Sequence, residues 1–295
     1  MKNGKPIAPR PLRALITAAL LPLFAIGCKT GELLYEPKTT PEQWCKLRPC
    51  VDLGGTVFNE PLGSFLVFLL AGLWVWSGIY FWQNHREQLS RKWFAVSLVL
   101  GGIGAALAGI SYQSFSYALK CQGQEYCLLT NGFEVGYSLT QAVSVSAMLT
   151  AVAYACVRGL LRKIVIVYCI LNVVVYFILT AMGVTQPSRL LLSFEVLMLF
   201  ALPGVLFVIV ISGIAYARTR QPLDGSLLMA ALLFIVVQVA YFAYFAAGIT
   251  AALYKEGQGF YFSENDVLHV GMILWLVYIV KVVGKHLADH ESTSA

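Results

Sequence analysis

Between Glu60 and Val283 the chain consists of seven apolar runs joined by short hydrophilic links. Each run is long enough to cross the roughly 30 Å hydrocarbon core of a bilayer as a helix. The pattern predicts helices over Leu62–Trp82, Trp93–Leu119, Val135–Val157, Ile164–Gly183, Leu190–Tyr216, Leu227–Tyr254 and Val267–Val283. The links alternate in charge. One set carries Arg86, Arg91, Lys92, Arg158, Arg162, Lys163, Arg218, Arg220, Lys281 and Lys285, whereas the other offers only Lys120, Arg189 and Lys255. Ten basic residues against three is an orientation signal, because Lys and Arg resist translocation. The expected fold is an all-α membrane protein, a seven-transmembrane helix bundle with its N-terminus outside and its C-terminus cytoplasmic.

Details inside the runs refine this picture. Trp74, Trp76, Tyr80, Trp82 and Trp93 gather near the first basic link, as amphipathic rings at a headgroup boundary do. Gly101, Gly102, Gly104 and Gly109 give the second helix a small-residue face for close packing. Pro203-Gly204 is expected to bend the fifth helix, because proline removes a backbone donor. The aromatic residues of the sixth helix, Tyr241, Phe242, Tyr244 and Phe245, read as packing.

Composition agrees. Of 295 residues, 58% are hydrophobic and 12% charged, against about a quarter charged in soluble domains. The net charge of +6 lies in the links rather than on one patch, so it reports topology and contact with anionic lipid, not nucleic acid. No phosphate-binding loop, haem-attachment motif or paired transmembrane histidines appear. The expected partners are membrane lipids, with no nucleic acid and no nucleotide, and the expected location is a bacterial inner (plasma) membrane.

The N-terminus divides from the bundle. Lys2, Lys5, Arg10 and Arg13 precede an apolar run from Ala14 to Gly27, short for a spanning helix and suited to a signal h-region. Ala25-Ile26-Gly27-Cys28 resembles a bacterial lipobox, which makes Cys28 a lipidation candidate; an uncleaved signal anchor fits equally. Residues 1–28 are therefore a signal peptide or anchor, 29–59 an extracytoplasmic segment, 60–284 the seven-helix domain, and 285–295 a disordered cytoplasmic tail. Cys45 and Cys50 fall in the extracytoplasmic segment, and Cys121 and Cys127 in the second external loop. Two close pairs on an oxidising face suggest disulfides, with three pairings open and a metal site from the four thiols a lesser alternative. Cys156 and Cys169 read as small apolar residues within helices.

The polar residues at membrane depth gather on one side. Glu60 opens the first helix, Ser116 lies near the outer end of the second, Glu134 opens the third, and Asn265, Asp266 and His269 open the seventh. Glu195 sits about two turns into the fifth helix from the same side. Each acid near a helix start has a simple reading as a partner of the helix dipole. A carboxylate as deep as Glu195 needs pairing, protonation or hydration. Together they point to a polar pocket in the outer half of the bundle, with Tyr112 included. His269, Glu134 and Glu195 are the candidate metal ligands, and one divalent ion, zinc or a harder ion such as calcium, is the cofactor such a set would take. His85, His286 and His290 lie on the cytoplasmic side and cannot join it.

Several of these segments resemble a known family. Asn59-Glu60-Pro61-Leu62-Gly63-Ser64-Phe65 is similar to the "aEPxN" opening of the first helix in alkaline ceramidase-like proteins of the CREST superfamily. Gly109-Ile110-Ser111-Tyr112-Gln113-Ser114-Phe115-Ser116 resembles their second-helix "GxGSxxFH" motif. Asn265-Asp266-Val267-Leu268-His269 resembles the "HxxWH" opening of their last helix, and Glu134 takes the place of their Asp at the start of helix three. The resemblance implies seven helices and zinc hydrolase chemistry on a lipid amide. The departures count against that chemistry. Ser116 and Asn265 stand where the family has histidines, Tyr112 stands in the aligned place of its serine with Ser111 beside it, and only His269 is kept.

Three functions follow as expectations. The leading one is a non-catalytic or altered relative that binds a lipid or a partner through the polar pocket. The second is a metal-dependent hydrolase of a lipid amide or ester with a carboxylate-rich centre. The third is a proton- or cation-coupled transporter using Glu195 and Glu134, weakened by the lack of internal repeats.

Overall fold

Seven helices long and apolar enough to cross a membrane form the body of the molecule: Pro61–Gln83, Leu89–Ser114, Gly132–Cys156, Gly159–Thr185, Phe194–Thr219, Pro222–Ala246 and Glu264–His286. The chain is a polytopic helical membrane protein. These coordinates come from a computed structural model that describes residues 33–290, so the expected signal segment, Cys28 and residues 291–295 lie outside the described residues.

Packing sets the spans in a circuit. The first touches the second, the second the third, the third the fifth, and then fifth, sixth and seventh follow until the seventh closes on the first. The fourth span stands outside this ring and packs mainly on the third. The third is the hub, with 67% of its apolar window buried against 17% in the fifth. Lipid gives no hydrophobic drive between helices, so close backbone approach and polar bonds must supply it. The second span provides both. A Cβ on Gly102 would fall 2.8 Å from the Ala71 carbonyl of the first span, and one on Gly104 would fall 2.7 Å from Thr140 Oγ1 of the third. Ser144 Oγ donates to the Ser97 carbonyl at 2.8 Å, and Gln141 Nε2 donates to the Gly101 carbonyl at 3.2 Å.

Three span boundaries depart from the hydropathy pattern, each for a local reason. The second span ends in a wide π turn, Gly109–Ser114, and breaks at Phe115, whose N–H donates to Ile110 five residues back; Ser116–Lys120 is a separate short helix. The sixth stops at Ala246 because Gly248 adopts a left-handed conformation, φ 62°, after which Ile249–Leu253 and a small hairpin complete the link. The fifth begins only at Phe194, capped by Ser193, because Leu191 and Leu192 turn onto Gly183 of the fourth span rather than starting a helix. Glu195 is consequently in the first turn and exposed, not two turns deep. Pro203 lies inside the fifth span, which continues through it as one helix.

The expected disordered tail is also corrected in part. Residues up to His290 fold back on the basic end of the bundle. Asp289 accepts from the backbone N–H groups of Leu89 at 2.9 Å and Ser90 at 2.8 Å, capping the second span where its own N-cap residue, Gln88, makes no side-chain bond. Arg91 donates to the carbonyls of Leu287 and Gly284.

At the opposite end, residues 33–59 form a cap. It contains the helix Pro41–Leu47 and a hairpin pairing Cys50–Asp52 with Val57–Asn59. The expected disulfides are Cys45–Cys50 within the cap and Cys121–Cys127 in the link after the second span. Each closes a loop of about six residues, worth roughly 2 kcal/mol in the chain-entropy picture. The cap is tied to every link at this end. Tyr35 N–H donates to the Cys127 carbonyl, Arg189 donates to the Leu34 carbonyl and pairs with Glu36, and Gly257 N–H donates to the Lys46 carbonyl.

An Asp289→Ala substitution removes a cap placed 200 residues away in sequence. It is expected to destabilise the bundle by about 1 kcal/mol, read as a lower unfolding temperature of the detergent-purified protein.

Candidate functional site

Two buried ion pairs organise the capped end. Glu60 precedes Pro61 with a left-handed backbone, φ 44°, uncommon for a residue with a Cβ. This turns its side chain away from its own helix, so it makes no cap; its Oε1 instead accepts from Arg48 Nη1 at 3.0 Å. The Arg48 guanidinium stacks over Trp44 at 4.3 Å and donates to the Tyr35 hydroxyl at 3.3 Å. Burial pushes the Glu60 carboxyl above its ordinary range while Arg48 pulls it back. Burial opposes the Arg48 charge too, but Glu60 together with Tyr261, Tyr35 and Glu264 outweighs it and holds the guanidinium above its ordinary range.

The second pair joins Lys120 to Glu134. Their charged atoms lie 2.5 Å apart and both side chains are almost fully buried. Glu134 Oε1 also accepts from Ser111 Oγ at 2.7 Å, and Asn131 Nδ2 donates to that same hydroxyl at 2.7 Å. The π turn makes this network, since its extra residue per turn directs Ser111 to the third span and Ser114 to Ser64 of the first. Lys120 further donates to the Leu129 carbonyl and lies 4.9 Å from the Tyr112 ring centre. At the head of the seventh span Asp266 spends Oδ2 on a capping box with Ser263. Its Oδ1 lies 2.9 Å from where a Cβ on Gly63 would be, so the first and seventh spans meet here only because residue 63 is glycine.

Below this layer, a cavity of about 450 Å³ runs through the middle of the ring. Tyr35, Arg48, Glu264 and Asn265 line its capped end, and Phe94, Leu227 and Ile279 line its other extreme. Six spans contribute to its wall and the fourth does not, as the ring arrangement requires. The volume falls within the roughly 300–1,000 Å³ of ordinary small-molecule sites. Most of the wall is apolar, including Val67, Leu98, Met148, Ala201 and Ala231. Four polar atoms on it are buried and lack a hydrogen-bond partner: Trp74 Nε1, Gln113 Oε1, Gln238 Oε1 and His269 Nδ1. Buried polar atoms in native proteins are mostly satisfied, so these four are groups of the wall with hydrogen-bonding capacity to spare.

The residues singled out from the sequence therefore divide. Tyr112, Asn265 and His269 line the cavity. Glu60, Ser116, Glu134 and Asp266 are buried beside it, and the first, third and fourth are engaged as above. Glu195 is exposed at the head of the fifth span and shares none of these contacts. The expected ligand set of His269, Glu134 and Glu195 is not assembled, and among the described residues no group of three or more His, Cys, Asp and Glu is arranged to hold a metal ion. The cavity also extends far beyond the outer half of the bundle. The sequence reading left Arg48 and Gln238 unmentioned and assigned no site role to Lys120, read as a charge in a weak link, to Trp74, read as an interfacial aromatic, or to Gln113, named only within the second-helix motif. Gln238 carried a usable signal, an amide in the middle of an apolar run.

Residues 65–288 match a family model described as "Family of unknown function (DUF6962)". The match covers most of the chain, and the chain belongs to this family. No curated protein and no solved structure shows significant similarity to it.

Replacing Arg48 with Met leaves the Glu60 carboxylate buried beside the cap without its cation. The expected cost is about 3 kcal/mol, seen as loss of thermal stability in detergent, with most of it recovered in the Arg48→Met, Glu60→Gln double variant. Equal instability of single and double variants would contradict the pairing.

Proposed function

We propose that this protein binds a membrane-derived, largely apolar ligand in the central cavity, through a site without hydrolytic chemistry. The observation that carries the reading is the wall itself: an apolar channel of about 450 Å³ bearing four unpartnered buried polar atoms. A pure hydrocarbon would leave those atoms unsatisfied, each at a cost of about 1–3 kcal/mol. The ligand that suits them is elongated, carries a neutral polar group near Gln113, Asn265 and His269, and offers a hydrogen-bond acceptor to the Trp74 indole N–H. Lipids bearing hydroxyl and carbonyl groups have this chemistry. The N-terminal cap over the mouth favours entry from the bilayer side of the bundle. The basic links support an orientation with the cap outside the cell.

The resemblance to alkaline ceramidase-like proteins belongs to the same proposal, as support for a lipid ligand. It lends less support to the hydrolase reading. The carboxylates that would hold an ion are bound to Lys120, Arg48 or the Ser263 cap, and the donors present do not fit a divalent metal centre. The transporter reading relied on a deep Glu195, which is exposed in the first turn of its helix.

The test compares a fluorescent monoacylglycerol with a fluorescent hydrocarbon of equal length, titrated into the purified full chain. The monoacylglycerol is expected to bind at least about tenfold more tightly, since two restored hydrogen bonds contribute on the order of 1.4 kcal/mol or more. Ala231→Phe, which fills the channel, should abolish binding without lowering thermal stability. Trp74→Phe should narrow the difference between the two probes. Binding of both probes unchanged by Ala231→Phe would overturn the proposal.

A further inference from the structure

A second concavity lies at the basic end of the bundle, on the lipid-facing side of the first and seventh spans, and shares no lining residue with the central cavity. It is a groove of about 330 Å³ between the first and seventh spans. Its floor is made of small residues. Ser77 is 1% exposed, and its hydroxyl is tied back to the Leu73 carbonyl at 2.7 Å, so it presents little polarity. Gly284 completes the floor and cannot grow, because a Cβ there would fall 2.8 Å from the Phe81 ring. The rims are large and apolar: Trp76 is 59% and Val277 50% exposed. At the mouth stand Lys281 and Lys285, four residues apart, both exposed and forming no ion pair among the described residues. They lie where the seventh span widens into the π turn Ile279–Val283 and continues to His286.

The acids near this mouth are already engaged. Glu87 pairs with Lys92 at 2.8 Å, and Asp289 caps the second span. Among the described residues, no carboxylate pairs with either lysine, and both stand at the mouth of an apolar slot. We propose that this groove is a binding site for an anionic phospholipid, its phosphate held by Lys281 and Lys285 and one acyl chain laid between Trp76 and Val277. Tyr80, at the same height and 42% exposed, closes the headgroup end from the first span. Charge complementarity sets the headgroup preference, since a zwitterionic lipid brings its own cation to the lysines while an anionic one does not. The site is independent of the central cavity, and its occupant would hold the first and seventh spans together where the ring closes.

Native mass spectrometry of the full chain in detergent, titrated with chain-matched phosphatidylglycerol and phosphatidylcholine, tests this. Phosphatidylglycerol is expected to bind roughly tenfold more tightly and to raise the unfolding temperature. The Lys281→Gln, Lys285→Gln double variant should lose that preference while keeping the fold. Lys163→Gln, a lysine on the outlying fourth span, should retain it. Ser77→Leu, filling the floor, should weaken both lipids. Equal binding of the two lipids, a preference that survives the double variant, or one lost equally with Lys163→Gln would overturn the proposal. So would full competition by water-soluble glycerophosphoglycerol, which would mean a site for free anions rather than a lipid.

Discussion

Two buried carboxylates at the capped end are each cancelled by a cation, and the rest of the architecture there depends on that cancellation. Arg48 meets Glu60, and Lys120 meets Glu134, each within hydrogen-bonding distance and mostly out of water. An unpaired charge buried to this extent would be far costlier than either pair, since the medium around it is protein rather than water. The first pair fixes the cap to the first span; the second fixes the link after the second span to the head of the third. Below its capped end, where Arg48 and Glu264 stand, the cavity wall carries only neutral polar atoms.

The second span is the element that makes both the pairs and the cavity. Its glycines let it approach the first and third spans so closely that no side chain fits between the backbones at Gly102. Such tight contact would leave little interior if the span stayed a regular helix to its end. The π turn at Gly109–Ser114 rotates its last residues instead, sending Ser111 to Glu134 and Ser114 to Ser64, while Tyr112 and Gln113 reach the cavity. The fourth span, excluded from the ring, leaves the interior to six helices whose facing side chains do not fill it. Helix pairs thus pack to atomic contact along the ring while its centre stays open.

How much of this could be read from the sequence depended on whether the signal was local. The seven spans and the disulfide-forming cysteines follow from length, hydropathy and spacing, so they were legible. The depth of Glu195 was misjudged because Leu190–Leu192 extends the apolar run into a turn that packs on Gly183, and hydropathy cannot tell a packed turn from a helix. The pairing of Arg48 with Glu60 spans 12 residues and depends on a left-handed backbone at Glu60. Lys120 was read only as a weak charge in an outer link, yet it is buried against Glu134. Asp289, in a stretch whose composition suggests disorder, caps a helix begun 200 residues earlier. In each case the missing information was tertiary. The cluster of acids was expected from depth, but depth alone does not distinguish carboxylates that share an ion from carboxylates separately engaged, as Glu60 and Glu134 are with cations and Asp266 with a helix cap.

That distinction bears on what kind of selectivity this end of the molecule can have. A site with free carboxylates discriminates by charge and attracts any cation. A wall whose polar atoms are mostly neutral discriminates by the positions of hydrogen bonds. Trp74, Gln113, Gln238 and His269 come from the first, second, sixth and seventh spans, so their spacing is set by helix packing rather than by flexible loops. Under the proposed reading, a lipid with polar atoms at matching positions satisfies them, and one lacking a group leaves a buried donor or acceptor unpaired. Sites built this way reject a near-isostere more strongly than a plain apolar pocket rejects a missing methylene. Rigid helix packing thereby becomes the source of specificity, and the glycine contacts and π turn that hold the second span in place contribute to recognition as much as the residues on the cavity wall.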